Sequence, residues 1–211
     1  MKQKLILSLF VAAMLWFVMF SSWTAPHVNF WLMMTVSALI LTSLAILFGG
    51  RPSLHFDAKE IFMGIGLAAA LWGIFWVGDK VSQWLFAFAR PQVDLIYGMK
   101  SGHSGLLLSL ALLFIIGPAE ELFWRGFVQK NLRKGLSANF AWLSGTFFYT
   151  IVHLPSANFM LIMAALVCGL IWGGLYRFMP QHFGAIVLSH ALWDAAAFVW
   201  FPFSIICKTI I

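Results

Sequence analysis

The chain has 211 residues, of which 62% are hydrophobic and 9% charged, with a formal net charge of +6 at pH 7. So few polar residues cannot cover the surface of a water-soluble fold, which excludes that class and points to a chain solvated by lipid. A positive charge can mark a nucleic-acid partner, but no basic cluster interleaves with exposed aromatics, so it is read as orientation in a bilayer.

Crossing a bilayer as a helix takes about 17 to 25 apolar residues, and several runs of that length are present. Strands of a transmembrane barrel would alternate apolar and polar residues, which these runs do not. The expected fold is therefore all-α, a polytopic transmembrane helix bundle of about seven or eight spans, because helices satisfy their own backbone hydrogen bonds. It reads as a single domain over residues 1–211, without repeats or a soluble linker. In chain order the spans are expected at 5–23, 30–49, 61–78, 104–130, 138–154, 158–176 and 183–200. The first run, LILSLFVAAMLWFVMF behind Lys2 and Lys4, is long for a signal peptide and no small-x-small cleavage site follows it. It reads as an uncleaved first helix. Between Asp79 and Lys100 the composition is mixed, and VSQWLFAFA is expected along the membrane interface. The final FPFSIICKTII is too short to span alone and extends or follows the seventh helix.

With the N-terminus cytoplasmic, nine lysines and arginines fall on that side and four (Lys80, Arg90, Lys100 and Lys208) on the other. That bias favours the N-terminus inside. Cys168 and Cys207 sit in apolar surroundings without a metal-ligand pattern and read as packing residues. His27, His55, His103 and His182 lie near expected boundaries and read as interfacial. The tryptophans and phenylalanines suit lipid contacts and interface anchoring. Gly169 and Gly173 have the spacing that lets two helices pack closely.

The acids carry more information. Asp57, Glu60, Asp79 and Asp94 fall in or beside expected interfacial segments, where water can solvate them. Glu120, Glu121 and Asp194 fall inside apolar helices. Each charge near a helix centre costs roughly 2.5–3.5 kcal/mol on insertion scales, so these three need a reason, and a polar cavity with a function is the default one. Glu121 and Arg125, four apart, share a helix face, whereas Glu120 is rotated by about 100°. Arg125 can hold Glu121 ionised, which leaves Glu120 free to handle a water or a ligand. Pro118 removes one backbone hydrogen bond just before the pair and is expected to kink the helix there. Two histidines join the acids: His153 at the end of GTFFYTIVH, and His190 in SHALWDA, one turn before Asp194. At a rise of about 1.5 Å per residue, Glu120 lies roughly 15 Å, His153 roughly 24 Å and His190 roughly 14 Å below one membrane boundary, so the three can meet.

Glu120-Glu121 followed by Arg125 resembles the EExxxR motif of the CPBP intramembrane proteases, the family of type II CAAX-processing enzymes and bacterial Abi proteins. The family's FxxxH is matched by Tyr149 to His153, with tyrosine for phenylalanine and so a hydroxyl available to the polar network. Its HxxxN or HxxxD is matched by His190 to Asp194. The ordered set puts a catalytic core at 104–200. The resemblance implies an intramembrane endopeptidase in which Glu120 is general base for a water and His153 orients it. His190 and Asp194 then polarise the carbonyl, and Glu121 and Arg125 support them. Asp194 would act through a histidine, a water or its own proton, since an ionised carboxylate repels an oxyanion. The resemblance also implies a peptide or membrane-protein substrate, in CAAX processing a prenylated one, and a bacterial inner (plasma) membrane location. Glu120, His153 and His190 could supply a three-ligand zinc site with an open position, or activate water directly; the spacing leaves both open.

Two other readings use different residues. Gly102-His103-Ser104-Gly105 matches the GxSG of rhomboid serine proteases, with Ser104 as nucleophile and His190 as its base, although turn residues are also expected at a helix entrance. A non-catalytic immunity factor or scaffold would keep the buried acids and histidines without turnover.

Overall fold

The computed structural model describes residues 2–203, and every regular element among them is helical. The helices are α1 (Lys2–Phe20), α2 (Phe30–Gly49), α3 (Ala58–Leu85), α4 (Ala89–Gly98), α5 (Gly105–Leu132), α6 (Ala138–Ile151), α7 (Phe159–Phe178) and α8 (Pro180–Trp200). Six of them (α1, α2, α3, α5, α7 and α8) are long and apolar enough to cross a membrane. Their starts follow local chemistry. Asn29, Asp57, Ser104, Ser137 and Asn158 each accept a hydrogen bond from a backbone N–H of the first turn, satisfying a donor that the helix cannot.

Two boundaries differ from the sequence expectation. The third helix does not stop at 78 but runs through VSQWL to Leu85, so that stretch belongs to the helix. The segment expected as a span at 138–154 forms a helix of only 14 residues, about 21 Å long at the usual rise, ending at Ile151. Pro155 disfavours helical geometry at Leu154 and cannot donate, so the chain turns through Leu154–Ser156, and Ala157 takes a positive φ of 48° before Asn158 caps α7. His153 thus sits in a tight turn just beyond α6. Gln92 of α4 clasps this turn: its carbonyl accepts from Asn158 Nδ2 at 2.9 Å and its side chain accepts from Met160 N at 3.0 Å. Cys207 and Lys208 lie outside the described residues.

The centre of the bundle is α8, the most buried of the long helices, packed against α3 and α5. A Cβ built on Gly117 of α5 would stand 2.6 Å from Cα of Ala191, so the backbones of α5 and α8 touch there. α6 packs on α7 in the same manner. A Cβ on Gly169 would come within 2.9 Å of Thr146, and one on Gly173 within 2.8 Å of Trp142, which gives the expected close-packing role to this glycine pair. Large apolar side chains such as Phe10, Leu47, Phe62, Phe114 and Phe147 face outward, as lipid permits.

Two acids expected in water are buried. Glu60 is 5% and Asp79 6% exposed. Glu60 reaches from the first turn of α3 to the start of α8, where it accepts from Ala185 N at 2.8 Å and pairs with Nδ1 of His182. The N-terminal end of a helix attracts a carboxylate, so Glu60 anchors α8 rather than facing solvent. Asp79 accepts from Gln83 at 2.7 Å, with Lys80 Nζ 3.6 Å away. At the other end of α8, burial pushes the Tyr97 phenol up to about 12, so it stays a hydroxyl that donates to Ala197 O at 3.0 Å. Lys100 Nζ donates to Phe198 O at 2.8 Å.

Candidate active site

The two glutamates lie on α5 between two wide π-helical turns, Leu112–Ile116 and Trp124–Gln129. Pro118 explains the first: its ring would crowd the carbonyl of Phe114 and it has no N–H to donate, so the chain widens and Gly117 N–H reaches back to Leu112 O. A widened turn is thus what stands where the kink was expected.

Glu121 is fully buried, and its Oε1 accepts from Arg125 Nη1 at 2.8 Å and from His190 Nδ1 at 2.6 Å. Arg125, itself 2% exposed, also donates to Cys168 O at 3.2 Å and lies over the rings of Tyr149 and Trp172. Trp172 stacks flat on the His190 imidazole, with centroids 3.7 Å apart and planes 14° apart. Its indole N–H is taken by Ser189 Oγ at 3.0 Å. With Nδ1 directed at Glu121, His190 presents Nε2 on its other side, 3.5 Å from Asp194 Oδ2.

Glu120 has a different setting. Its Oε2 accepts from the Tyr149 hydroxyl at 2.7 Å. His153 Nδ1 donates to Tyr149 O at 2.7 Å, because a carbonyl at that distance can only accept. Its Nε2 accepts from Trp16 Nε1 at 3.2 Å. A single cavity of about 530 Å³ is bordered by Glu120, Tyr149, His153, Cys168, His190 and Asp194. Most of its remaining wall is apolar, with Phe20, Trp31, Phe75 and Val93 drawn from four further helices. The structure therefore brings Glu120, His153, His190 and Asp194 to one cavity and sets Glu121 and Arg125 behind it.

The proposed zinc ligands do not form a set here. Among the described residues, no three His, Cys, Asp or Glu side chains are placed to hold a metal ion. The chemistry of the donors says why: both nitrogens of His153 are already in hydrogen bonds, and Nδ1 of His190 is turned to Glu121. Ser104 is not in the cavity either. It is exposed, and its Oγ caps α5 by accepting from Leu107 N at 3.4 Å, while His190 is buried on Glu121. The turn-residue reading of SGHSG holds, and the serine-protease pairing of Ser104 with His190 is not assembled.

Sequence reasoning missed Trp16, Trp172 and the Cys168 carbonyl. None carries a local signal: one tryptophan in an apolar run looks like any other, and a backbone carbonyl is invisible to a motif. The Tyr149 hydroxyl was visible, as the departure from phenylalanine.

Residues 102–196 match the family model described as Rce1-like, type II CAAX prenyl endopeptidase Rce1-like. The match supports the CPBP/CAAX protease family for this segment. No curated protein and no solved structure matches the chain. The family match supports a CAAX-type intramembrane protease in general terms, and the six membrane-length helices agree with an integral membrane protein. The matched segment runs from just before α5 to Ala196 in α8, whereas Trp16, Glu60 and much of the cavity wall come from the preceding helices.

Proposed function

We propose that this chain hydrolyses a peptide bond with a water activated by Glu120, without a metal, on a substrate whose apolar portion fills the cavity. The observation that carries the reading is the unequal bonding of the paired glutamates. One oxygen of Glu120 is held by Tyr149, and the residue borders the cavity, so its other oxygen is available to a water. Glu121 is committed to Arg125 and His190. Glu120 takes a proton as the water oxygen bonds to the scissile carbonyl carbon. It then returns that proton to the amine as the C–N bond breaks, so one carboxylate serves as base and then acid.

His190 holds one nitrogen on Glu121 and turns the other toward the cavity. The 3.5 Å separation from Asp194 is too long for a strong hydrogen bond, so an N–H there can swing to the carbonyl oxygen as it gains charge. Asp194 acts through that imidazole. His153, held by Tyr149 O at Nδ1 and by Trp16 at Nε2, borders the cavity with Glu120 and orients the water by shaping the place it occupies. The cavity's apolar wall supports a lipidated or strongly apolar peptide, including a prenylated one, or a membrane-protein segment. The charge bias supports a cytoplasmic N-terminus, and the resemblance to bacterial Abi proteins supports a bacterial inner membrane.

The test is cleavage of a library of free and prenylated peptides by the detergent-purified protein, with metal content measured on the same samples. Glu120→Gln keeps the shape and is expected to lose about 10²- to 10⁴-fold in kcat while Ser104→Ala keeps full activity. Activity that disappears on chelation and returns with zinc would remove the metal-free mechanism. Absence of turnover by wild type on every peptide would favour the non-catalytic immunity or scaffold role.

A further inference from the structure

The cavity lies toward one end of the bundle. At the opposite end, Lys4 lies over the ring of Phe48, Glu60 bonds the start of α8, and Arg177 donates to Asn139 Oδ1 at 3.2 Å. These contacts bring together the starts of α1, α3, α6 and α8 and the ends of α2 and α7. At the cavity end, Trp31 donates to Met99 O at 2.8 Å, Gln92 clasps the turn after α6, and Lys100 reaches Phe198 O. The cavity wall belongs to this second group: Phe20 closes α1, Phe30 opens α2, Leu85 closes α3, Phe159 opens α7 and Phe198 lies in the last turn of α8. At the usual rise, the wall residues Cys168 and His190 stand about 15 Å from the opposite end. Between them and that end, Phe123, Phe127, Val128 and Ile186 form a packed layer, each 2% exposed or less. Charge divides the two ends in the other sense. Lys2, Lys4, Arg51, Lys59, Lys130, Arg133, Lys134 and Arg177 lie at the sealed end; among the described residues, Lys80, Arg90 and Lys100 lie at the cavity end.

We propose that the cavity opens away from the cytoplasm and takes an apolar peptide segment of an exported or membrane protein, rather than a cytoplasmic C-terminal tail. The inference rests on the hydrolase reading above. Lysine and arginine gather on the cytoplasmic side of membrane proteins, which turns the sealed end to the cytoplasm. The entrance is a cleft between the end of α3 and the start of α7. α3 packs on α8 and α7 on α6, with α4 touching both α3 and α7. Val81 and Leu85 on one side and Phe159 on the other line the cavity and are 46%, 55% and 44% exposed, so the apolar wall continues to the outside of the bundle. Apolar side chains already in lipid enter such a wall without shedding water, and they meet it in the leaflet away from the cytoplasm. A cytoplasmic tail, prenylated or free, would first have to pass the packed layer.

Gly78 gives the test a handle. It lines the cavity, is exposed, and a Cβ built on it meets nothing within 4 Å. Gly78→Cys and Ser53→Cys, the latter exposed at the sealed end, are treated with a charged, membrane-impermeant maleimide in right-side-out and inverted membrane vesicles, against the wild-type background. Gly78→Cys is expected to react in right-side-out vesicles and Ser53→Cys in inverted ones. Reaction of Gly78→Cys from the cytoplasmic side, or from neither, overturns the proposal. Gly78→Trp should then block the cleft and lower kcat/KM by about tenfold or more on the best peptide of the library. Gly66→Trp, whose Cβ also meets nothing and which does not line the cavity, should stay within about twofold of wild type. Where Gly78→Trp folds poorly, the maleimide adduct of Gly78→Cys supplies the same block, and unchanged kcat/KM in either overturns the cleft as the route. A charged, impermeant form of that peptide should be cleaved by right-side-out vesicles and about tenfold less by inverted ones until detergent opens them. Equal or reversed cleavage overturns the sidedness. Should wild type cleave no peptide, the hydrolase reading fails separately, and the labelling pattern alone decides which side the cavity faces.

Discussion

The two halves of the site use similar groups to opposite ends. Glu121 and Arg125 behind the cavity, with His190 at its edge, form a closed set, in which one carboxylate oxygen receives two charged or polar donors and a tryptophan covers the imidazole. At the cavity wall, Glu120 has one donor from a tyrosine and His153 has one from an indole. The glutamates are neighbours in sequence, so the difference comes from the helix turning about 100° between them, which aims one at α8 and the other at α6. A carboxylate sealed from the cavity and held by Arg125 and His190 fixes geometry; one that borders the cavity can exchange protons. Substitutions that remove one partner from each half should therefore differ in kind.

The largest effect is expected from Arg125→Met, which keeps much of the stem and removes the charge. Glu121 would then be a buried carboxylate with His190 alone, a loss of about 3–5 kcal/mol. Thermal unfolding in detergent should show a strongly lowered midpoint. Adding Glu121→Gln should recover most of the loss, because the cost lies in the unpaired charge. If the double variant is no more stable than Arg125→Met, the closed half is held by packing and the comparison between the halves fails.

What the sequence made legible, and what it hid, follows the same division. The helical class was readable because lipid demands long apolar runs, and the candidate residues were readable because charge inside such runs is costly. The Glu121–Arg125 pair was readable from helical spacing. Three things were not. The early end of α6 depends on Pro155 acting on a stretch apolar enough to read as a span. Burial of Glu60 depends on α8 beginning beside α3, a tertiary fact for which a residue near a boundary gives no sign. Trp16 is hidden because its partner lies 137 residues away. Periodicity reports which residues leave water or enter lipid; it does not report which two helices will meet.

An intermediate effect sharpens the comparison through the backbone. Gly117→Ala puts a methyl group against Cα of Ala191, where α5 and α8 touch, and backbone cannot move aside as a side chain can. Overpacking of this kind costs about 1–3 kcal/mol. The shift separates the helix bearing Glu121 from the one bearing His190, so their 2.6 Å hydrogen bond should lengthen. Because Glu120 and Tyr149 belong to α5 and α6, their bond should survive. A stability loss accompanied by an unchanged His190 ¹⁵N signal would mean that the contact is slack and the closed half does not depend on it.

The smallest effect is expected in the open half. Tyr149→Phe removes the hydroxyl on Glu120 and restores the aromatic residue of the family's motif, with the ring still beneath Arg125. A hydrogen bond to a charged group is worth about 1.5–3 kcal/mol when its loss strands the partner. Glu120 borders a cavity, so water can replace the hydroxyl, and the expected loss is about 1 kcal/mol. Unfolding midpoints of Tyr149→Phe and Arg125→Met measured side by side decide the matter. Equal losses would mean that Glu120 is as enclosed as Glu121, which would leave no oxygen for a water; a small loss at Tyr149 beside a large one at Arg125 is what a carboxylate facing a wet cavity requires.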